Sequence, residues 1–184
     1  MAVMKKTSKR EKGKPEVVLI DVDGVLTTGN FFYTAEGKSM KEFSVDDHDA
    51  LLLLQPWIDV RFVTGDRKGY PITHRRVVRD MKFPLEIVST LKRIDWIQKS
   101  WDPKKVIYVG DGIFDSWVFE KVGYSICTSD GSDTARKAAD YVTKNPGGRR
   151  AVAEVCLHIL NKFFKPYNPK RIPAKFRSSG EWSL

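Results

Sequence analysis

The stretch Val17–Thr28, which reads V-V-L-I-D-V-D-G-V-L-T-T, decides the fold that we expect for this chain. The apolar run before Asp21 is typical of a parallel strand buried on both faces, and Asp23-Gly24 favours a turn directly after it. Asp21 and Asp23 lie one residue apart in D-x-D, so both leave the strand end on the same side. Alone, the pair also fits a solvated turn; with polar partners nearby, it predicts a site for a metal ion and a phosphoryl group.

Strand and helix patterns alternate along the rest of the chain, with turn residues between them. This alternation predicts βαβ units, and therefore an α/β fold that is Rossmann-like and doubly wound around a mainly parallel sheet. We expect strands at residues 17–21, 60–63, 85–88, 105–109, 124–127 and 141–142, and helices at residues 46–55, 68–81, 90–101, 114–121, 132–139 and 151–164.

Polar residues follow two further predicted strands. Thr64-Gly65 comes directly after the second strand of the predicted sheet, and Asp111 follows the fourth. Doubly wound sheets bind their ligands outside the carboxyl ends of the strands, so we expect Asp21, Thr64 and Asp111 to meet in one crevice. This convergence favours a functional site over a solvated turn at Asp21 and Asp23.

A small β-hairpin is predicted between the first strand and the first helix. Residues 30–34 and 39–45 are aromatic or alternating runs, and they flank a loop at 35–38 that contains glycine. Its aromatic residues are close in sequence to Asp21. The hairpin is therefore expected to be a flap over the site or a contact with another subunit, with an ordinary surface hairpin as the alternative.

Length and composition indicate one globular domain. The chain has 184 residues, 41% of them hydrophobic and 30% charged. Its longest apolar run is far too short to span a bilayer, and its N-terminus lacks the apolar segment of a secretory signal, so we expect a cytoplasmic protein. Cys127 and Cys156 have no metal-ligand spacing and are expected to be small core residues in a reducing compartment.

The net charge of +9 is concentrated at the two ends of the chain. Residues 1–16 contain six Lys/Arg and two Glu, residues 162–184 contain six Lys/Arg and one Glu, and the stretch between them is neutral. We therefore predict a basic N-terminal tail at 1–16, a folded domain at 17–164, and a basic tail with prolines and aromatics at 165–184. A nucleic-acid groove would carry its charge on the folded body, so nucleic acid is not an expected partner.

The order and spacing of these residues resemble the haloacid dehalogenase superfamily of aspartate-nucleophile phosphatases. D-V-D-G-V-L-T at Asp21–Thr27 resembles the first motif of that superfamily, the hydroxyl of Thr64 its second, Lys92 its third, and G-D-G-I-F-D at Gly110–Asp115 its fourth. The match extends over nearly all of residues 17–161. It implies an enzyme that hydrolyses phosphate monoesters.

Two further features resemble the capless group of that superfamily, of which 3-deoxy-D-manno-octulosonate 8-phosphate phosphatase is typical. A small hairpin stands where other members have a cap domain, and Gly147–Val155 reads G-G-R-R-A-V-A-E-V. The resemblance implies a Mg²⁺ requirement and a homotetramer in which each hairpin covers a neighbouring active site. The implied substrate is a small-molecule phosphate ester, such as the phosphate of a 2-keto-3-deoxy sugar acid.

The resemblance also assigns chemistry to the carboxylates. Asp21 would attack phosphorus and form an aspartyl-phosphate, and Asp23 would protonate the leaving oxygen and then activate the hydrolytic water. A carboxylate can attack an anionic ester only when the charge between them is neutralised. Mg²⁺ would do this on Asp21, Asp111 and the main-chain carbonyl of Asp23.

Four more residues would support the phosphoryl group in this resemblance. Thr64 and Gly65 would hydrogen-bond its oxygens, Lys92 would neutralise its charge, and Asp115 would hold Lys92 or a metal-bound water. From the residues alone, Thr64-Gly65 fits turn chemistry equally well. Lys92 and Asp115 also fit solvated positions on helices.

Three segments depart from the pattern of the sugar-acid phosphatases. Asp66 stands where they have an arginine after T-G, residues 46–48 read D-D-H in place of R-D-G, and Arg149-Arg150 ends a segment that usually reads G-G-x-G. Arginine is the usual fork for a carboxylate, so the leaving group stays open. Asp47, Arg149 and Arg150 are candidate substrate-binding residues, and either arginine could supply the missing charge.

Two functions of other classes stay open at this point. The basic tails would allow a nucleic-acid end phosphatase, whose binding would weaken steeply with salt. The fold could also serve as a non-catalytic oligomerisation module. The presence together of Asp21, Asp23, Lys92 and Asp111 argues against such a module, because binding alone does not need all four.

Overall fold

Eight strands are present in the computed structural model, which describes residues 14–171. They are β1 (Val17–Asp21), β2 (Phe32–Thr34), β3 (Gly37–Met40), β4 (Asp59–Thr64), β5 (Leu85–Ile87), β6 (Val106–Gly110), β7 (Tyr124–Cys127) and β8 (Tyr141–Val142). Six of them form a parallel sheet in the order β5-β4-β1-β6-β7-β8, which confirms the predicted architecture. Residues 1–13 and 172–184, which hold most of the two predicted basic tails, lie outside the described residues.

This described region contains six α-helices, five of them between strands and the sixth after β8. They are α1 (Val45–Leu54), α2 (Tyr70–His74), α3 (Arg93–Ser100), α4 (Asp115–Phe119), α5 (Asp133–Ala138) and α6 (Ala151–Phe163). The helix expected at 68–81 begins as α2 and continues with π-helical geometry over Arg75–Asp80. The helix expected at 90–101 begins with a 3₁₀ turn, Thr90–Lys92, before α3 starts at Arg93.

The chain reverses its winding direction beside β1. It moves outward from β1 to β4 and β5, and then crosses back to place β6 on the other side of β1. β1 therefore pairs with β4 and with β6 along its length. In a doubly wound sheet such a reversal opens a crevice at the carboxyl ends of the central strands, and here those strands are β4, β1 and β6.

The core lies on both faces of the sheet. Val18 and Ile20 of β1 point to one face, and Val17 and Leu19 point to the other, as the two-residue period of a strand requires. The first face is covered by α1, α6 and the helix that begins as α2, and the second by α3, α4 and α5. The first strand is thus buried on both faces, as its apolar run predicts.

The hairpin of β2 and β3 is shorter than the sequence predicts. Its loop is reduced to Ala35-Glu36, because Gly37, at a φ of 125°, already belongs to β3. The second strand ends at Met40 and does not reach Val45, which is the first residue of α1. The hairpin nevertheless stands beside the crevice at the end of β1, as described below.

Two smaller expectations concern cysteines and membranes. Cys127 and Cys156 are free and buried, as their apolar sequence context predicts. Within residues 14–171, no helix has both the length and the apolar character needed to cross a membrane.

Candidate active site

The ends of β1, β4 and β6 bring the predicted polar residues together. Asp21 is the last residue of β1, Thr64 is the last of β4, and Asp111 follows the last residue of β6. Asp21, Asp111 and Gly65, the residue after Thr64, border a cavity of about 350 Å³, which Phe31 and Lys38 of the hairpin region also line. The predicted convergence of three strand ends is therefore present, and the hairpin does lie at this site.

Three carboxylates crowd the floor of this cavity. One oxygen each of Asp21, Asp111 and Asp115 lie within 4.8 Å of one another. Burial, reinforced by the charges of Asp21 and Asp115, raises the pKa of Asp111 to about 8. Burial also raises the pKa of Asp21 to about 6, although Arg93 opposes the rise. Like charges held this close favour a bound cation, and an all-oxygen donor set suits a hard divalent ion.

Asp115 hydrogen-bonds to the backbone of the loop that carries Asp111. Its side chain is buried, and its Oδ2 accepts hydrogen bonds from the backbone N–H of Asp111 at 3.0 Å and of Gly112 at 2.8 Å. Its Oδ1 accepts the hydroxyl of Tyr108 at 2.9 Å. With these bonds Asp115 fixes the loop that carries Asp111, whereas the sequence predicts that it holds Lys92 or a metal-bound water.

The cation beside Asp21 is Arg93 and not the predicted Lys92. Arg93 is only 1% exposed, and its guanidinium donates to Asp21 Oδ2 at 2.8 Å and to Oδ1 at 3.1 Å. It also donates to Tyr108 and, at 3.4 Å, to Asp115. Lys92 is exposed at the end of the 3₁₀ turn. Lys92 therefore lies outside the cavity. Arg93, the next residue, is the first of α3 and lies on the helix face that packs against the sheet.

Helical spacing was the signal that could have identified Arg93. Arg93 and Ile97 lie four residues apart, so they share one face of α3, and both are buried. The sequence pattern alone does not show where the α-helical period starts. The turn at Thr90–Lys92 has 3₁₀ geometry, with about three residues per turn. An α-helical period of about 3.6 residues counted from Thr90 therefore assigns the buried face to the wrong residues.

Asp23 is held by two side chains at the cavity wall. Lys41 donates to its Oδ1 at 2.6 Å, and the hydroxyl of Thr64 donates to its Oδ2 at 3.0 Å. Thr64 is fully buried and also accepts the backbone N–H of Asp66 at 3.0 Å. The hydroxyl of Thr64 is therefore bonded to Asp23, whereas the sequence predicts a bond from it to a phosphoryl oxygen. Gly65 does line the cavity, as expected.

Sequence reasoning missed two lysines that pair with Asp66, one of which, Lys41, also pairs with Asp23. Lys41 and Lys38 both pair with Asp66 Oδ2, at 2.9 and 2.5 Å, and Lys38 lies over the ring of Phe31 at 3.3 Å from its centroid. The alternation of inward and outward residues after β3 was the signal that could have identified Lys41. Lys41 and the half-buried Phe43 are two residues apart on an extended segment, so both point inward, while Glu42 between them is exposed.

Two glycines let the chain pass close to the carboxylates. Gly24 has a φ of 90°, and a Cβ there would lie 2.1 Å from Asp111 Oδ2. A Cβ at Gly147 would lie 2.0 Å from the carbonyl oxygen of Gly24. Both positions thus require glycine for close approach, and the G-G pair before α6 packs on the turn that follows Asp21.

The three candidate substrate residues do not line the cavity. Asp47 is fully buried, and its Oδ1 accepts the backbone N–H of Ala153 in the first turn of α6 at 2.8 Å. Arg149 and Arg150 are exposed, and Arg150 pairs with Asp46 at 2.7 Å. The structure thus gives these residues other contacts than the predicted substrate. Asp47 accepts a backbone hydrogen bond in the first turn of α6, and Arg150 links α1 to the start of α6.

Known proteins resemble this chain in sequence and in structure. Residues 90–155 match a model of haloacid dehalogenase-like hydrolases. The chain is 35% identical over 144 residues to 3-deoxy-D-manno-octulosonate 8-phosphate phosphatase KdsC of Escherichia coli. The alignment covers 76% of each chain. The cobalt-bound deoxy-D-mannose-octulosonate 8-phosphate phosphatase of Haemophilus influenzae is 29% identical, with a TM-score of 0.70 over 80% of this chain and 88% of that one.

A second solved structure carries ligands. The octulosonate phosphatase of Moraxella catarrhalis, in complex with a magnesium ion, a phosphate ion and a KDO molecule, is 28% identical to this chain. The TM-score is 0.69, and the alignment covers 80% of this chain and 87% of that one.

Proposed function

The chain belongs to the haloacid dehalogenase-like hydrolases and is a phosphatase of that family, and from this premise we propose that it hydrolyses phosphate monoesters through an aspartyl-phosphate on Asp21. The observation that carries the proposal is the position of Asp21. It lies at the end of β1 beside the carboxylate of Asp111 and against the buried guanidinium of Arg93. A carboxylate placed between a cation site and an arginine is suited to attack an anionic ester.

Asp21 and Arg93 would act on the phosphoryl group. An oxygen of Asp21 forms the bond to phosphorus while the bond from phosphorus to the leaving oxygen breaks. Arg93 orients Asp21 with two N–H donors and places a fixed positive charge beside the oxygens that become more negative in the transition state. Water then breaks the acyl-phosphate bond, which releases inorganic phosphate and regenerates the carboxylate of Asp21.

Asp23 would carry the proton in both steps. It lines the cavity two residues after the nucleophile. In the first step it gives a proton to the leaving oxygen, so that an alkoxide is not released. In the second step the resulting carboxylate takes a proton from the attacking water, which returns Asp23 to its starting state.

Asp21 and Asp111 would hold a divalent cation, which we propose is Mg²⁺. Their crowded oxygens and the raised pKa of Asp111 support this. When bound, a hard cation neutralises charge between the nucleophile and the ester. The magnesium- and cobalt-containing relatives support a divalent metal. Asp115 would act on the metal site indirectly, through its bonds to the loop of Asp111.

The proposed substrate is a sugar phosphate, and the first candidate is the phosphate of a 2-keto-3-deoxy sugar acid. The names of the relatives support this class. Phe31, Lys38 and Asp66 line the cavity wall beside Asp23 and would face the leaving group. An ammonium, a carboxylate and an aromatic ring together suit a polyhydroxylated molecule with polar and apolar faces.

We also propose that the protein is a homo-oligomer, with a tetramer as the first expectation from the resemblance. Phe32, Tyr33 and Met40 of the hairpin are 51%, 64% and 57% exposed. Large apolar side chains grouped on one projecting hairpin favour contact with another surface. A second copy of this chain is the proposed partner.

A phosphate-release screen tests the proposed function. The panel contains p-nitrophenyl phosphate, common sugar phosphates, phosphates of 2-keto sugar acids and oligonucleotides with terminal phosphates, each with Mg²⁺ and with excess chelator. We expect chelator-sensitive release that is fastest with sugar or sugar-acid phosphates. Preferred release from oligonucleotide ends would replace the substrate class, and no release from any ester would reject the function.

A further inference from the structure

Lys41 is a buried cation that the proposed chemistry has not yet used. Its side chain is fully buried, which is rare for lysine unless it is paired. Its ammonium lies 2.6 Å from Asp23 Oδ1, 2.9 Å from Asp66 Oδ2 and 2.9 Å from Thr73 Oγ1. An ammonium has three donors and no acceptor, so these three contacts satisfy it completely.

Two carboxylates share this one ammonium, and their surroundings differ. Asp66 Oδ1 accepts the backbone N–H of Gly69 at 2.9 Å, and its Oδ2 also meets Lys38. Burial opposes the ionisation of Asp66, but its bonds to Lys38, Gly69 and Lys41 lower its pKa to about 2. Asp66 therefore stays negative through the pH range of the reaction and is a permanent partner for Lys41.

Asp23, by contrast, must gain and lose a proton in the proposed reaction. If it were the only partner of Lys41, its protonation would leave a buried ammonium without a counter-charge, which is strongly unfavourable. Asp66 prevents this, because Lys41 keeps one ionised partner in either state of Asp23. The pair of Asp66 and Lys41 thus allows Asp23 to change charge without loss of the buried network.

Lys41 also restricts which oxygen of Asp23 carries the proton. Because an ammonium only donates, Oδ1 must remain an acceptor toward it. The hydroxyl of Thr64, which contacts Oδ2, can donate or accept and so tolerates either state of that oxygen. The exchangeable proton is thereby favoured on Oδ2.

We propose that Lys41 is a positioning residue for Asp23, which it holds by Oδ1 so that Oδ2 delivers the proton, and that Asp66 keeps Lys41 in place. This inference rests on the proposed function. It also gives a role to the aspartate of Thr64-Gly65-Asp66, where the sugar-acid phosphatases usually have an arginine. A purely structural role for Lys41, as a link between the hairpin segment and α2, is the competing explanation.

The test uses two esters that differ in their need for a proton on the leaving oxygen. Nitrophenolate departs readily as an anion, whereas the alkoxide of a sugar phosphate such as ribose 5-phosphate does not. For each ester, kcat/KM reports the steps up to departure of the leaving group. In Lys41→Met we expect kcat/KM for ribose 5-phosphate to fall by about 100-fold. The value for p-nitrophenyl phosphate should fall at least about tenfold less, since its departure needs little help from Asp23.

Matched variants separate positioning from structure. Lys99→Met removes an exposed lysine of α3 and should leave both values unchanged. Lys41→Arg keeps the charge and should restore part of the lost ratio. Thr73→Val removes the hydrogen bond that steadies the ammonium, together with a longer one from Thr73 to the carbonyl of Gly69 in the same helical turn. It should shift the ratio in the same direction by less, and it serves as the main test if Lys41→Met does not fold.

The outcomes distinguish the two proposals. An equal loss for both esters in a folded variant, or no loss, would overturn the positioning role while the phosphatase function stands. If the wild-type protein hydrolyses neither these esters nor any other of the screen, both proposals are rejected together.

Discussion

The guanidinium of Arg93 donates to both carboxylate oxygens of Asp21, with N···O distances of 2.8 and 3.1 Å. The guanidinium is itself fixed by Tyr108 and Asp115, so neither partner can turn away without breaking several buried contacts. This bidentate pair orients the proposed nucleophile before any substrate arrives. It also means that the cation of the site is a planar fork and not the flexible ammonium of a lysine.

The first prediction separates Arg93 from its neighbour. Arg93→Met should lower kcat/KM for p-nitrophenyl phosphate by about 10²- to 10³-fold, because Asp21 loses the partner that orients it and the transition state loses a fixed positive charge. Lys92→Met removes the same charge one residue earlier, where the side chain is exposed, and should change activity less than about twofold. A large loss in Lys92→Met with activity retained in Arg93→Met would contradict our assignment.

The second prediction concerns the nucleophile. Asp21→Asn should abolish Mg²⁺-dependent phosphate release, because an amide cannot form the acyl-phosphate. Asp95→Asn changes an exposed acid of α3 in the same way and should retain wild-type activity. Circular dichroism should show that both variants are folded. Turnover near the wild-type rate in Asp21→Asn would refute the role of this residue.

The third prediction links metal binding to protons. The raised pKa values of Asp111, about 8, and Asp21, about 6, mean that the cation-free site holds close to one proton at pH 7. A cation requires ionised carboxylates, so Mg²⁺ binding should release protons, and its affinity should rise with pH up to about 8. Titration calorimetry in buffers of different ionisation enthalpy measures this release.

Asp111→Asn is the control for that titration. It removes the carboxylate with the highest pKa of the pair, so Mg²⁺ binding should become weaker and should release fewer protons at pH 7. Equal proton release in the variant and the wild type would show that Asp111 is not the group that titrates.

The fourth prediction concerns stability and Asp47. Burial raises the pKa of Asp47 from 3.8 to about 7, with Asp46, Arg150 and the backbone of α6 as its charged and polar neighbours. The folded state therefore holds this proton more tightly than the unfolded state. Stability should fall as pH rises from about 4 to about 7, by at most about 4 kcal/mol from this group.

Asp47→Asn isolates that effect. The amide oxygen can still accept the backbone N–H of Ala153, but it does not titrate. Urea unfolding at several pH values should show that the advantage of the variant over the wild type grows between pH 4 and 7. A difference in unfolding free energy that does not change with pH would contradict the raised pKa.

The fifth prediction concerns assembly. Phe32 and Tyr33 project from the hairpin, so their replacement by serine should lower the molecular mass measured by light scattering if they contact a second copy. Trp57→Ser changes an exposed aromatic residue that lies before β4, away from the hairpin, and should leave the mass unchanged. A wild-type monomer at micromolar concentration would reject the proposed homo-oligomer.

Much of this architecture follows from local pattern. The burial of Val17–Ile20, the turn at Asp23-Gly24 and the alternation of strands with helices are properties of short segments, and the sequence states them directly. Parallel sheets then place strand ends on one edge, which is why the meeting of Asp21 with Asp111 could be predicted without coordinates.

The partners of the carboxylates needed the tertiary structure. Lys92 and Arg93 are neighbours in sequence, and only the start of α3 determines which of them faces Asp21. Lys41 reaches Asp23 and Asp66 because the chain after β3 folds back across the crevice, a long-range contact with no local signature. The sequence by itself thus determined the fold and the set of acids. Tertiary packing decided which cations pair with those acids, because the interaction between two charges depends on their distance in space and not on their separation along the chain.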